Sequence, residues 1–196
     1  MKIQPKSIKV KDIFDGYADN GDNGVFAYDG RLAIRPAYQR EFVYSSEQAE
    51  SVIHTILKGF PLNVMYWVKV GDDQYEVLDG QQRTLSVMQY LDHKYSISFD
   101  GGKYYCDSLP DDKYDDIMNY EFMVYVCEGS ESEKLDWFKV VNIAGEKLTD
   151  QELRNSVYTG KWLTDAKRYF SKRNCAAKGL SDKYIKADPN RQELLE

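Results

Sequence analysis

The chain is poor in the residues that build disulfide frameworks and metal centres. Its 196 residues contain three cysteines and two histidines, His54 and His93. Cys106, Cys127 and Cys175 are odd in number and far apart, which indicates reduced thiols rather than a disulfide framework or a CxxC metal site. Two histidines cannot complete a zinc centre without much help. We therefore predict no metal site built by the protein alone.

Long apolar runs are also missing. No stretch approaches the roughly 20 apolar residues that a membrane span needs, and the N-terminal segment MKIQPKSIKVKD has no apolar signal core. We therefore predict a cytoplasmic protein with no membrane partner. A 42% hydrophobic and a 30% charged share are typical of a globular protein, and the length fits one domain, or one domain with a small appendage.

The chain lacks an overall positive charge, because 32 acidic residues outnumber 26 basic ones, but basic residues cluster towards its end. The net charge of −6 argues against a generally basic nucleic-acid binder. Residues 161–191, however, contain nine lysines and arginines against three aspartates. Such a cluster can contact phosphates, although it is more often a solvated helix face. The candidate DNA-binding residues are Lys167, Arg168, Lys172 and Arg173.

Hydrophobic periodicity predicts helices and strands in alternation. The predicted elements are a strand or helix start at 7–14, a loop at 15–30, a strand at 32–34, a helix from Ser45 to Leu57, a hairpin of 63–70 with 74–78, a helix at 81–91, a hairpin around 100–102, a helix at 110–119, a strand at 122–127, and helices beyond residue 130.

One stretch, from Asp79 to Arg83 (DGQQR), organises the chain. It follows a predicted strand and opens a predicted helix. Asp79 can cap that helix, and Gly80 lets another group approach the backbone closely. The free amides of a helix start attract anions, and Arg83 adds a positive fork suited to phosphate. Gln81 and Gln82 add neutral donors and acceptors. The alternative is a capping box that needs no ligand.

Two further stretches carry candidate ligands. Pro36 fixes the backbone before Tyr38 and Arg40, so Arg40 could bind a phosphate and Tyr38 could pack against a base or ribose. Taken alone, this string is equally typical of an ordinary surface. Asn142 precedes Gly145 at a predicted helix end, where it is either a C-cap or a site residue.

Together these motifs resemble a known family. Pro36-x-Tyr38-Gln39-Arg40, Ile56–Pro61 (ILKGFP), Leu78–Arg83 (LDGQQR) and Val141-Asn142-x-x-Gly145 with Glu152–Asn155 (ELRN) occur in one order. This resembles domain-of-unknown-function family 262, the N-terminal domain type of GmrSD restriction systems, over roughly residues 30–158. Two features differ from the usual pattern of the family. Neither histidine lies in the His-Asn-His pattern of the nuclease half found in many relatives, and Thr-Leu-Ser-Val follows Arg83 where many members have a Leu-Thr-Thr run.

The resemblance implies an α+β fold of the ParB/sulfiredoxin type, with a small mixed sheet flanked by helices. It implies a nucleotide-binding domain, which we assign to 1–158. The residues beyond it predict a basic helical extension over 159–196, which we expect to begin a further region. Such a domain would bind and hydrolyse a nucleoside triphosphate, GTP or ATP with Mg²⁺, as the regulatory part of a phage-defence or modification-dependent restriction protein. A C-terminal nuclease or effector half would be its partner.

The residues of the motif take the following roles under that implication. The backbone from Gly80 to Gln82 and Arg83 would hold phosphates, and Gln81 or Gln82 would orient the attacking water. Asp79 would either cap the helix and contact that water, which we favour, or bind Mg²⁺. Tyr38, Arg40 and Asn142 would complete the site. The alternatives are a DNA-binding sensor with a vestigial nucleotide site and a ParB-like nuclease.

Overall fold

The computed structural model describes residues 1–36, 44–130, 132–133 and 136–137. In chain order, its strands and α-helices are β1 (Lys2–Lys9), α1 (Val10–Phe14), β2 (Ala18–Asp19), β3 (Val25–Ala27), β4 (Leu32–Arg35), α2 (Ser46–Leu57), β5 (Met65–Gly71), β6 (Gln74–Asp79), α3 (Gln81–Leu91), β7 (Ile97–Phe99), β8 (Gly102–Tyr104), α4 (Asp111–Asn119) and β9 (Glu121–Glu128). Short 3₁₀ turns occupy Gly21–Asn23 and Cys106–Ser108.

Seven of these strands form one mixed sheet in the order β1-β9-β5-β6-β4-β3-β2. The pairs β4–β6 and β5–β9 are parallel, and the other pairs are antiparallel. Strands β7 and β8 form a separate hairpin. The predicted fold class, α+β with a mixed sheet flanked by helices, is confirmed.

The core lies between one face of the sheet and the helices. Val124 and Val126 alternate along β9 and are buried, as the period of two along a strand requires for one face. Trp67 of β5 pairs in register with Val126 and is buried beside it. Ile53 of α2 and Leu85 of α3 belong to the same buried cluster, so both helices cover this face.

Helix α2 begins and ends where the sequence predicts. The Ser45 hydroxyl accepts a hydrogen bond from the Gln48 amide, and the Gln48 side chain accepts one from the Ser45 amide, which is a capping box. Gly59, with φ of +65°, follows the last turn. Both ends of α2 are therefore fixed by local sequence.

The two predicted hairpins are also present. Strands β5 and β6 are joined by a turn with Asp73 at φ +53°, and they deliver the chain to the start of α3. Strands β7 and β8 are joined by Asp100 and Gly101, whose φ values of +46° and +79° suit a two-residue hairpin turn.

Two predictions for the first 30 residues need correction. The stretch at 7–14 is not one short element, because β1 extends over Lys2–Lys9 and α1 follows it directly. The predicted loop at 15–30 contains β2, a 3₁₀ turn and β3. Glycine, aspartate and asparagine mark the turns between these short strands, and they hid the strands themselves.

None of the helices in the described part of the chain is both long and apolar enough to cross a bilayer. The predicted domain boundary at residue 158 and the predicted helical extension over 159–196 lie outside the described residues.

Candidate functional site

The DGQQR motif lies at the junction between β6 and α3. β6 ends at Asp79, and α3 begins at Gln81. The linking residue, Gly80, has φ of +98°, a backbone conformation that favours glycine. A Cβ on Gly80 would lie 2.7 Å from Cγ of Met65. The close approach that this glycine permits is therefore made by a side chain of the same protein.

The prediction that Asp79 caps α3 is wrong. The N-cap residue is Gly80, and no side chain caps the helix. Oδ2 of Asp79 instead accepts a hydrogen bond from Nη2 of Arg83 at 2.9 Å. The two residues are four apart, which places their side chains on the same side of the first turn. Asp79 therefore orients Arg83 rather than capping the helix.

Arg83 also holds the chain that enters β5. Its Nη1 donates to the backbone carbonyl of Asn63 and to that of Val64, the latter at 3.2 Å. The Arg83 side chain is 16% exposed, so its guanidinium is largely enclosed by these acceptors. A planar guanidinium held on two edges has little freedom left, and it presents its remaining edge in a fixed direction.

Gln82 is buried beneath the chain that leads into α2. Its residue exposure is 8%, and its Oε1 accepts a hydrogen bond from the backbone amide of Tyr44 at 3.3 Å. Gln82 therefore positions the start of α2, whereas Gln81 lies half-buried at the helix start. Of the two glutamines, Gln81 is the less buried.

Two hydroxyls that the sequence analysis did not single out complete the motif's packing. Thr84 Oγ1 donates to the Gly80 carbonyl at 2.9 Å, and Ser86 Oγ donates to the Gln82 carbonyl at 2.8 Å. The Ser86 carbonyl in turn accepts from the Tyr95 hydroxyl at 2.8 Å. Burial raises the pKa of Tyr95, so this hydroxyl keeps its proton. The sequence signal that could have identified Thr84 and Ser86 is their position on the side of the predicted helix that faces the core.

A groove of about 380 Å³ lies between α2 and the start of α3. This size is within the range of about 300–1,000 Å³ that small-molecule sites occupy. Its lining consists of Tyr44, Glu47, Gln48, Ser51, Val52, Thr55, Leu62 and Arg83. Among the described residues that line the groove, Arg83 is the only cation, and the other polar groups are one carboxylate, one amide and three hydroxyls. Such a set can hold a phosphorylated, hydroxyl-rich ligand.

The α2 side of this groove was missed by the sequence analysis. Gln48, Ser51 and Thr55 are spaced by three and four residues, so they share one side of the helix. The buried positions Val52, Ile53 and Ile56 were recognised, but the polar stripe beside them was not. Helical spacing of small polar residues opposite Arg83 was the signal that could have found it.

The other predicted site residues lie outside the described residues. These are Tyr38, Arg40, Asn142, Lys167, Arg168, Lys172 and Arg173. Of the predicted set, the structure brings together Asp79, Gly80, Gln81, Gln82 and Arg83, and it places Arg83 on the groove.

Among the described residues, no group of three or more histidine, cysteine, aspartate or glutamate side chains could hold a metal ion. Near the motif, the Asp79 carboxylate is already paired with Arg83, and a Mg²⁺ cage needs several oxygen ligands.

Comparison with known proteins gives one assignment. The family model described as "GmrSD restriction endonuclease, N-terminal domain" matches residues 10–159, which is most of the chain and includes the whole β5–β6–α3 unit. No curated protein and no solved structure matches significantly. The chain belongs to the GmrSD restriction endonuclease N-terminal domain family.

Proposed function

We propose that this chain binds a nucleoside triphosphate, GTP or ATP, in the groove beside Arg83 and hydrolyses it as a regulatory domain of a phage-defence or modification-dependent restriction protein. The observation that carries the proposal is Arg83 itself. It is held by Asp79 and by two backbone carbonyls, and it lines a groove of nucleotide size with both polar and apolar walls. A guanidinium fixed in this way loses little entropy when it binds phosphate.

The position of each residue around the groove suggests its role in binding the nucleotide. The start of α3 and the edge of Arg83 that lines the groove would contact phosphate oxygens, and Arg83 would stabilise the charge of the transferring group. The hydroxyls of Ser51 and Thr55 would meet the ribose, and the ring of Tyr44 would pack against the base. Thr55 donates its proton to the Ser51 carbonyl, so its oxygen remains an acceptor.

Gln81 is the candidate for orienting the attacking water, and Tyr38, Arg40 and Asn142 are candidates for closing the groove. Mg²⁺ would enter the groove bound to the phosphates of the nucleotide. A nuclease or effector half would be the partner that reads the nucleotide state.

A second candidate function is favoured by the same contacts. Arg83 and Gln82 each hold a neighbouring segment in place, which gives the motif a structural role that needs no ligand. A DNA-binding sensor with a vestigial nucleotide site would keep these contacts too. The two functions differ in whether nucleotide enters the groove.

Filling the groove from α2 tests the proposal without disturbing the motif. Ser51 is exposed and lines the groove, so Ser51→Trp should block it while leaving the Arg83 contacts intact. Ser98 is exposed on the separate β7–β8 hairpin, and Ser98→Trp is the matched control. Binding of fluorescent GTP and ATP analogues with Mg²⁺ is measured by anisotropy, and phosphate release is followed in parallel.

We expect wild type and Ser98→Trp to bind equally and Ser51→Trp to bind at least about tenfold more weakly, a change of about 1.4 kcal/mol. Equal nucleotide binding by the two tryptophan variants would place any nucleotide elsewhere. Absence of binding by wild type would favour the vestigial site.

A further inference from the structure

A second recess lies on the sheet at the other end of the β5–β6 hairpin from Arg83. It has a volume of about 140 Å³, and three of its lining residues are Lys2, Lys6 and Lys69. Arg83 contacts the chain that enters β5, whereas Lys69 lies near the residues that leave it. We call this second recess the lysine pocket.

The register of the sheet explains why these lysines converge. Lys2 and Lys6 are separated by an even number of residues on β1, so their side chains leave the same face. Lys2 pairs in register with Glu128 of β9, and Lys69 of β5 pairs with Tyr75 of β6. Four adjacent strands therefore contribute to one recess, with Gln4 between the two β1 lysines.

Protection of a sheet edge does not account for this arrangement. Lysines on an edge strand commonly prevent edge-to-edge pairing, and β1 is an edge strand. Lys69, however, lies on β5, two strands in from that edge, and it still lines the pocket. What the three lysines share is therefore the recess that they line, and not a position on the edge strand.

The pocket has an excess of positive charge in a chain whose net charge is −6. Its lining holds three lysines and one carboxylate, Glu128, which lies 3.6 Å from Lys69 Nζ. Within the described ranges, neither Lys2 nor Lys6 forms an ion pair with a carboxylate. Nζ of Lys6 instead lies 5.4 Å from the ring centroid of Tyr75, a cation–π contact.

A second carboxylate close to the pocket, that of Asp73, is already engaged. Asp73 accepts hydrogen bonds from Arg31 at 2.9 Å and from the Tyr75 hydroxyl at 3.0 Å. These bonds, with a smaller contribution from the charge of Lys6, lower the pKa of Asp73. Lys2 and Lys6 thus remain available to an anion from outside.

We propose that the lysine pocket binds a single phosphate group of a polynucleotide backbone. Its volume is well below the roughly 300 Å³ at which sites for whole small ligands begin, so it suits a phosphate and not a complete nucleotide. A membrane surface fits less well, because the apolar lining residues Val126 and Tyr75 are themselves buried and offer nothing to insert. Contacts of this kind position a nucleic acid without reading its sequence.

This inference does not depend on the Arg83 groove, because the two sites share no lining residue. Variants of the lysine pocket should leave nucleotide binding unchanged, and Ser51→Trp should leave polynucleotide binding unchanged. Failure of one proposal is therefore distinguishable from failure of the other.

The test uses the 196-residue chain, a fluorescently labelled 20-base-pair DNA duplex, and anisotropy at about 50 to 200 mM KCl without nucleotide. Lys2→Gln/Lys6→Gln removes two charges while leaving the Lys69–Glu128 pair in place. Lys58→Gln/Lys103→Gln changes net charge equally at two exposed positions outside the pocket. Glu128→Gln removes the carboxylate and makes the pocket more positive.

We expect Lys2→Gln/Lys6→Gln to weaken duplex binding about tenfold at low salt and to reduce the slope of log K against log salt by about one, as loss of one phosphate contact predicts. Glu128→Gln should strengthen binding, and the control pair should change it little. In a second arm, inorganic phosphate should shift the amide resonances of Gln4 and Lys69 in wild type. No duplex binding by wild type, or equal affinities and slopes for the two double variants, would overturn the proposal.

Discussion

Replacing Arg83 by methionine tests how much the motif contributes to the fold. Methionine keeps most of the side-chain volume but removes the guanidinium. Three hydrogen bonds are lost, to the carbonyls of Asn63 and Val64 and to the Asp79 carboxylate. The chain entering β5 then loses its attachment to the start of α3.

The expected loss follows from these three contacts. A hydrogen bond from a charged donor contributes about 1.5–3 kcal/mol when well buried. Asn63 is exposed and Val64 is half-buried, so water can replace part of both bonds. The Asp79 side chain is 38% exposed, which puts its ion pair near the surface value of about 0.2–1 kcal/mol. We expect Arg83→Met to cost about 2 kcal/mol in all.

Urea unfolding followed by tryptophan fluorescence measures this free energy directly. A loss of about 2 kcal/mol corresponds to a fall in Tm of roughly 4–8 °C for a chain of this size. Arg31→Met is the matched control, because Arg31 also pairs with an aspartate, whereas its bond to a backbone carbonyl is local and goes to Tyr28, three residues earlier. A loss for Arg83→Met no larger than that of Arg31→Met would refute the view that Arg83 fastens β5 to α3.

Two further predictions concern the same fold. Gly80→Ala should destabilise by about 2–3 kcal/mol in urea unfolding, because it adds a contact with Met65 to the left-handed strain, whereas Gly101→Ala, with open space around it, should cost only about 1 kcal/mol. Equal losses would contradict the packing argument. The Glu50 carboxylate accepts from the Ser98 amide, which lowers its pKa, so its stabilisation is complete above the ordinary value near 4.5 and is lost as pH falls through the lowered one. Glu50→Gln should remove that acid-side dependence in unfolding curves measured from pH 7 to 3, and an unchanged dependence would contradict it.

Local sequence was sufficient for the unit that carries the motif. Alternating apolar residues and a turn at 71–73 predict the β5–β6 hairpin, and the apolar spacing after Arg83 predicts α3. The capping box at Ser45 likewise marks the start of α2. Each of these signals lies within a few residues of the structure that it specifies.

Contacts between distant segments were beyond the sequence. β1 pairs with β9 across more than 100 residues, and Pro5 within β1 argues against a strand unless that strand lies at an edge. The partners of Arg83 are carbonyls about 20 residues earlier, and any residue type could supply them. The sequence also predicted Asp79 as the cap of α3, whereas its carboxylate accepts a hydrogen bond from Arg83.

The groove and the lysine pocket show the same limit. The motif predicted one wall of the groove, but the α2 wall depends on how α2 and α3 pack. The lysine pocket draws on four strands whose order in the sheet is not their order in sequence. Both sites are products of topology, and charge counting along the chain did not reveal the second.

The central claim is that a nucleoside triphosphate binds between α2 and the start of α3. Amide resonances of the ¹⁵N-labelled chain, recorded during titration with GTP or ATP and Mg²⁺, test it most directly. The account predicts saturable shifts at Gln81, Arg83, Ser51 and Thr55, with Lys69 unaffected. Shifts confined to other regions, or none at millimolar nucleotide, would contradict it.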